Sequence, residues 1–261
     1  VILIPARYQS SRYPGKPLVK LRGAAGTAKP LIQRSVEAAR RVSGVGGVYV
    51  VTDDDRIADS CCGFGVGVLM TSPGCRNGTE RCAEALAQLH EPDLVINFQG
   101  DALLTPAHFV EALIKRMRQD DVDVATPALR LRSSEVCALQ SEEAAGRVGG
   151  TSVVTGNRGR ALYFSKRLIP HLPKGALDAE MSPVRLHVGV YAYRPSALQT
   201  YAVTPPAELE ELEGLEQLRF LAAGIPIAVV DVEPPPFALR ELNNPEDVGP
   251  IEEALRSAGL E

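Results

Sequence analysis

Three cationic side chains fall within ten residues near the start of the 261-residue chain: Arg7, Arg12 and Lys16, with Ser10, Ser11 and Gly15 between them. They follow an apolar, β-branched run over residues 1–4 that Pro5 closes, a pattern that suits a short buried strand and is too brief for a helix. A buried strand feeding a basic loop is one way α/β proteins hold phosphate, because ligands bind beyond the carboxyl ends of the strands. Three cations in that space can neutralise a triphosphate and its departing pyrophosphate. The loop has neither Walker spacing nor a dinucleotide fingerprint, and composition alone leaves a solvated basic loop as the other reading. A second chemically suggestive place is the run Leu-Val-Ile-Asn-Phe-Gln over 94–99, followed at once by Gly100 and Asp101. Strand, glycine, aspartate sets a carboxylate at the carboxyl edge of a sheet, with a turn that lets a ligand approach.

The elements that must position these groups alternate. Strands are expected over 47–52, 66–70, 94–99 and 124–131, with helices from residue 30 to about 42, over 56–62, and from 79 onward. This order predicts an α/β fold with a doubly wound, mostly parallel sheet. Asp53, Asp54 and Asp55 suit the N-terminus of the helix over 56–62 better than they suit a metal. Residues 18–21 read as a short strand and 22–28 as a Gly/Ala-rich loop. A short helix and loop follow over 133–147, then a hairpin of 149–154 and 161–165 about a Gly-Asn turn. Residues 170–183 look irregular, 186–193 and 225–232 read as strands, and 243–247 caps a last helix over 248–258. Leucines at 209, 212, 215, 218 and 221 recur on what reads as one acidic helix over 208–222. No repeat or linker interrupts the chain, so a single domain over 1–261 is expected, with a small antiparallel insertion at about 149–195.

A net charge of −4 carries no footprint for nucleic acid or an anionic membrane, so an anionic substrate must be met by local cations. No apolar run reaches the length of about 18 residues that a membrane-spanning helix needs. Five cysteines, an odd number without C-x-x-C spacing, predict reduced thiols, a cytoplasmic location and no structural zinc.

The basic loop belongs to a longer pattern. Pro-Ala-Arg-Tyr-x-Ser-x-Arg-x-Pro-Gly-Lys-Pro-Leu, from Pro5 to Leu18, resembles the nucleotide loop of the CMP-sugar-acid synthetases, above all those acting on 3-deoxy-manno-octulosonate (Kdo). Asn77-Gly-Thr-Glu-Arg81 resembles that family's Ser-Gly-Thr-Glu-Arg, the Asn-x-Gln-Gly-Asp ending at Asp101 is shared, and Leu215-Glu-Gln-Leu-Arg219 matches a further signature. The resemblance, which runs nearly end to end, implies transfer of CMP from CTP to an anionic acceptor with release of pyrophosphate. It implies that Arg7, Arg12 and Lys16 bind the phosphates and that Asp101 holds Mg2+. Gln99 and the segment Gly78, Thr79, Glu80, Arg81 would face the nucleotide. His187, Tyr191, Glu216 and Gln217 fall on positions that line the acceptor pocket, although Tyr191 reads equally as core and Glu216 as a solvated helical face. The insertion would close over the acceptor and form a homodimer interface.

Three positions depart from the family pattern. Ala102-Leu103-Leu104 stands where Glu-Pro is usual, Asn243 where a second magnesium-ligating Asp is usual, and Ser152 where a Lys is usual. An Asn carbonyl ligates magnesium without bringing charge, so a second metal should be weaker or absent. Phosphate-side residues are thus kept and acceptor-side ones altered. Transfer of CMP to a small phosphonate such as phosphonoformate is accordingly the alternative acceptor, and a non-catalytic nucleotide-binding relative is the remaining reading.

Overall fold

A computed structural model of the chain describes residues 1–10, 12–119 and 121–261; Ser11 of the basic loop lies outside the described residues. They form two compact units, one of Val1–Glu111, Tyr193–Ala202 and Pro235–Glu261, the other of Ala112–Ala192 and Val203–Pro234.

The first unit begins with strand β1 (Ile2–Pro5), a hairpin of β2 (Lys20–Arg22) and β3 (Ala28–Pro30), and helix α1 (Leu31–Ala39). Then come β4 (Val48–Thr52), α2 (Asp55–Gly63), β5 (Gly67–Met70), α3 (Gly78–Ala85) and β6 (Val95–Phe98). The order β5-β4-β1-β6 is parallel throughout. Ile2, Leu3, Ile4, Val50, Val51, Val95, Ile96 and Phe98 are all buried, as near-continuous apolar strands covered on both faces must be. Asp54 caps α2 by accepting from the Arg56 amide at 3.0 Å, as its position before the helix suggested. The Gly/Ala-rich stretch is the turn between antiparallel β2 and β3, so the strand expected over 18–21 starts at Lys20 instead.

Helix α4 (Ala107–Met117) carries the chain into the second unit. There follow β7 (Val124–Arg132), α5 (Ser133–Ala144), β8 (Ser152–Thr155), β9 (Ala161–Ser165), β10 (Met181–His187) and β11 (Val190–Tyr193). The remaining elements are α6 (Pro195–Val203), α7 (Glu208–Glu213), α8 (Leu218–Ala222), β12 (Ile227–Asp231) and α9 (Val248–Ser257), the last in the first unit. Here β7 pairs with β12 in parallel, while β7–β10, β10–β8 and β8–β9 are antiparallel. The fold is therefore α/β, with a parallel frame and an antiparallel insertion.

Two long elements expected from periodicity are each broken. Gly214 adopts φ 60° and closes α7, so 208–222 is two helices. Leu209 and Leu212 consequently stay exposed, and only Leu215 and Leu218 reach the interior. The halves are tied by a buried pair in which Arg219 Nε donates to Glu210 Oε2 at 2.7 Å. The strand expected over 186–193 is likewise split after His187, where Thr126 Oγ1 donates to the carbonyls of Val188 and Val190 at 3.3 and 2.8 Å. Among the described residues no helix is long and apolar enough to cross a membrane.

Candidate active site

In the first unit the chain leaves β1 at Pro5 into a loop closed by a backbone hydrogen bond from Gly15 to Tyr8 at 2.9 Å. Lys16 opens a 3-10 turn directly after it. Its Nζ donates to Asp101 Oδ2 at 2.6 Å, with both side chains less than one-fifth exposed. The loop cation and the sheet-edge carboxylate, 85 residues apart, are thus one ion pair. Gly100 makes the approach possible: a β-carbon there would sit 2.5 Å from the Pro5 carbonyl oxygen. Arg12 Nη2 donates to Asn243 Oδ1 at 2.9 Å, and Arg7 is exposed beyond the strand end.

The segments that carry Asp101 and Asn243 are anchored by apolar packing. Leu103 and Leu104, which follow Asp101, and Leu242, which precedes Asn243, are buried in one apolar cluster with Leu21, Ile251 and Leu255. Tyr13 of the basic loop packs against the same cluster. Shared burial of this kind holds the three segments together, at about 1.5–3 kcal/mol per enclosed leucine. Glu241, an exposed carboxylate with no signal in the sequence, precedes the buried Leu242. It lies in the field of Asp101, Lys16 and Arg12. Desolvation and then the like charge of Asp101 push its carboxyl up to about 7.

A second edge forms where α3 meets β6. Asn77 Oδ1 caps the helix by accepting from the Glu80 amide at 2.8 Å. A β-carbon at Gly78 would lie 3.3 Å from Gln99 Nε2 and 3.4 Å from Asn97 Nδ2. Asn97 is fully buried and its Nδ2 has no hydrogen-bond partner, a condition that costs about 1–3 kcal/mol. In the sequence Asn97 reads as a strand residue, and its polarity inside an apolar run is the available signal. Thr79 and Arg81 turn inward instead. Thr79 Oγ1 lies 2.9 Å from the Tyr193 hydroxyl. Arg81 Nη1 donates to Thr71 Oγ1 at 2.5 Å, and its Nη2 pairs with Asp53 at 3.2 Å.

In the second unit His187, Tyr191 and Gln217 come together. His187 meets the Phe164 ring edge-on, centroids 5.1 Å apart, with the Tyr191 ring at 5.4 Å. Its Nε2 is 2.8 Å from Thr126 Oγ1, and burial pulls its pKa down to about 3, so the imidazole is neutral. Tyr191 donates to Gln217 Oε1 at 3.1 Å. Gln217 is buried and its Nε2 has no partner. Glu216, half-buried, immediately precedes it.

Among the described residues no three His, Cys, Asp or Glu side chains converge. A hard cation that uses one or two carboxylates plus phosphate oxygens needs no such group, and the oxygen donors Asp101 and Asn243 fit that chemistry. The acidic triplet does not, since Asp54 is used as a cap and Asp53 pairs with Arg81.

A cytidylyltransferase family profile matches residues 1–227. The chain is 37% identical over 259 residues to the mitochondrial 3-deoxy-manno-octulosonate cytidylyltransferase of Arabidopsis thaliana, covering 99% of this chain and 83% of that protein. It is 40% identical over 256 residues to the 8-amino-3,8-dideoxy-manno-octulosonate cytidylyltransferase of Shewanella sediminis, covering 97% of each. Among solved structures it superposes with a TM-score of 0.84 and 36% identity on a CMP:2-keto-3-deoxy-manno-octonic acid synthetase complexed with CTP, over 99% of this chain and 98% of that one.

Proposed function

The chain belongs to the cytidylyltransferase family, and on that premise we propose that it transfers CMP from CTP to a 3-deoxy-octulosonate sugar acid, releasing pyrophosphate. The observation that carries this reading is the near full-length likeness to Kdo-type enzymes and to a CTP-bound synthetase, joined to the Lys16–Asp101 pair at the sheet edge. That likeness favours a sugar acid over a phosphonate acceptor.

A hydroxyl oxygen of the acceptor attacks the α-phosphorus of CTP. The new P–O bond forms as the bond to the bridging oxygen breaks, pyrophosphate leaves with the electron pair, and the hydroxyl proton is lost to solvent. Such a reaction is accelerated mainly by positioning and charge neutralisation. Arg7, Arg12 and Lys16 hold the triphosphate and stabilise the leaving group. Gly78 lets the base approach Gln99, and the unpaired Asn97 Nδ2 donates to an acceptor atom of cytosine. A magnesium ion, held by Asp101 and by the oxygens of the Asn243 segment, would supply further neutralisation of phosphate charge. Neutral His187, Tyr191 and Gln217 bind the sugar acid through hydrogen bonds, with Glu216 beside them.

The exposed Leu162, Val203, Leu209 and Leu212, all in the second unit, suit a homodimer contact, which sedimentation would detect. The odd count of five cysteines keeps the cytoplasm as the expected compartment. The function is tested by following pyrophosphate release with CTP, ATP, GTP and UTP, offering Kdo, its 8-amino analogue and phosphonoformate in turn. Release with CTP and an octulosonate acceptor is expected. Release only with phosphonoformate would overturn the acceptor, and none under any pairing would leave a nucleotide-binding protein without turnover.

A further inference from the structure

We propose that Tyr8 is a positioning residue of the triphosphate-binding loop: its ring, stacked on the Arg56 guanidinium, sets the backbone at Gly15 and through it the place of Lys16. This rests on the reading of the first unit as the CTP site.

Tyr8 and Gly15 are the two ends of the basic loop. The Gly15 amide donates to the Tyr8 carbonyl at 2.9 Å. One such bond fixes a separation while leaving both ends free to turn about it. The Tyr8 ring removes that freedom. Gly15 holds φ 72° and caps the 3-10 turn that starts at Lys16. A β-carbon on it would lie 3.1 Å from both Cζ and the hydroxyl oxygen of Tyr8. The ring therefore rests on the side of Gly15 where any other residue would carry its side chain. Glycine meets both demands, the left-handed backbone and the close approach. Lys16 is the next residue, and from that starting point its Nζ reaches Asp101 Oδ2 at 2.6 Å.

The ring is itself held. The Arg56 guanidinium carbon sits 3.3 Å from the ring centroid, within the range where a cation is attracted to a π face. Arg56 is aimed by Asp54, to which Nε and Nη2 donate at 3.0 and 2.6 Å. The Asp54 carboxylate also accepts from the Arg56 amide, so the cap of α2 and the grip on the guanidinium are one arrangement. Ile57 and Cys61 of α2 are buried, and the helix lies against the 3-10 turn, which makes its start a firm base. Arg56 thus differs from Arg7, Arg12 and Lys16. Its edge is taken by a carboxylate and its face by a ring, so it serves the loop as a support and not as a fourth phosphate ligand.

The test is calorimetric titration of CTP into the intact protein, paired with KM for Kdo as the control for a general loss of structure. Tyr8→Ala should weaken CTP binding about fivefold, the scale of a lost cation–ring contact, and leave KM for Kdo unchanged. Tyr8→Phe should restore wild-type binding, because the ring face and not the hydroxyl meets Arg56. Arg56→Ala should weaken binding less than Tyr8→Ala does. The double variant Tyr8→Ala/Arg56→Ala should be no weaker than Tyr8→Ala alone, since both act through one contact. Circular dichroism melting establishes that each variant is folded; if Tyr8→Ala does not fold, the exposed Arg56 position carries the same comparison. Wild-type affinity in Tyr8→Ala or Arg56→Ala, equal losses in Tyr8→Phe and Tyr8→Ala, or additive losses in the double variant overturn the assignment. So does equal weakening toward both substrates. A wild-type protein that does not bind CTP contradicts instead the reading on which the assignment rests, so the two failures are distinguishable.

Discussion

In the first unit the groups that converge are mostly charged and lie outside the strands: Lys16 against Asp101, and Arg12 against the neutral Asn243. In the second unit the groups that converge are neutral and enclosed: His187, Tyr191 and Gln217 among aromatic rings and backbone. The contrast suits the ligands proposed for each. A triphosphate carries concentrated charge and can be held by a few cations at a sheet edge. A sugar acid presents mostly hydroxyls, which are distinguished by buried hydrogen-bonding groups that would otherwise go unpaired. Among the described residues each unit buries one side-chain amide nitrogen without a partner, Asn97 Nδ2 in the first and Gln217 Nε2 in the second. Carrying an unpaired buried donor is a cost to folding, and under the proposed function a ligand acceptor would recover it.

The comparison breaks most easily at Asp101. Asp101→Asn should lower turnover about a hundredfold or more, as removal of one preorganised electrostatic group does, while the melting temperature changes little. A near-normal rate would mean that charge at this edge is not what drives the reaction. Gly100→Ala should come next. The new β-carbon would meet the Pro5 carbonyl oxygen at 2.5 Å, so overpacking should cost about 1–3 kcal/mol in denaturant unfolding, and turnover should fall because Asp101 moves with the turn.

In the second unit the sensitive variable is pH rather than charge pairing. The imidazole of His187 has a folded pKa of about 3 against an ordinary value of 6.5. Between those values the unfolded chain binds the proton and the folded one does not, so unfolding is favoured as pH falls. The contribution of this residue to stability is complete above about pH 6.5 and is lost progressively toward pH 3. Denaturant titrations at intervals across that window should show a slope that His187→Gln flattens; an unchanged slope would show that the ring is protonated in the fold. Asp231→Asn should have the smallest effect. It opens a half-exposed pair with Arg185, Nε to Oδ1 2.7 Å, worth under about 1 kcal/mol. A large loss of turnover in this variant would show that charge in the second unit serves chemistry after all.

These differences also explain what the sequence made readable. Arg12, Lys16 and Asp101 announce themselves because charged residues directly after buried strands have few structural roles, and the structure brings Lys16 to Asp101 although they are far apart in the chain. Thr79 and Arg81 carry the same kind of signal yet face inward, toward Tyr193, Thr71 and Asp53. Spacing along a helix start cannot say which side of it meets solvent. The leucine repeat at 209–221 misled for a related reason: Gly214, in left-handed conformation, resets the helix and changes which leucines are buried.

The division of labour is tested most directly by removing the two unpaired amides one at a time, as Asn97→Leu and Gln217→Leu, and measuring KM for CTP and for Kdo in each. Asn97→Leu should raise KM for CTP about tenfold, the equivalent of one buried hydrogen bond of about 1.4 kcal/mol, and leave KM for Kdo unchanged. Gln217→Leu should do the reverse. The free Asn97→Leu protein should melt no lower than wild type, because an unpaired buried donor has been replaced by an apolar group, whereas Gln217→Leu also takes an acceptor from the Tyr191 hydroxyl and should melt slightly lower. If both variants raise the same KM, or if neither changes while stability drops, the amides are structural and the two units do not divide the substrates between them.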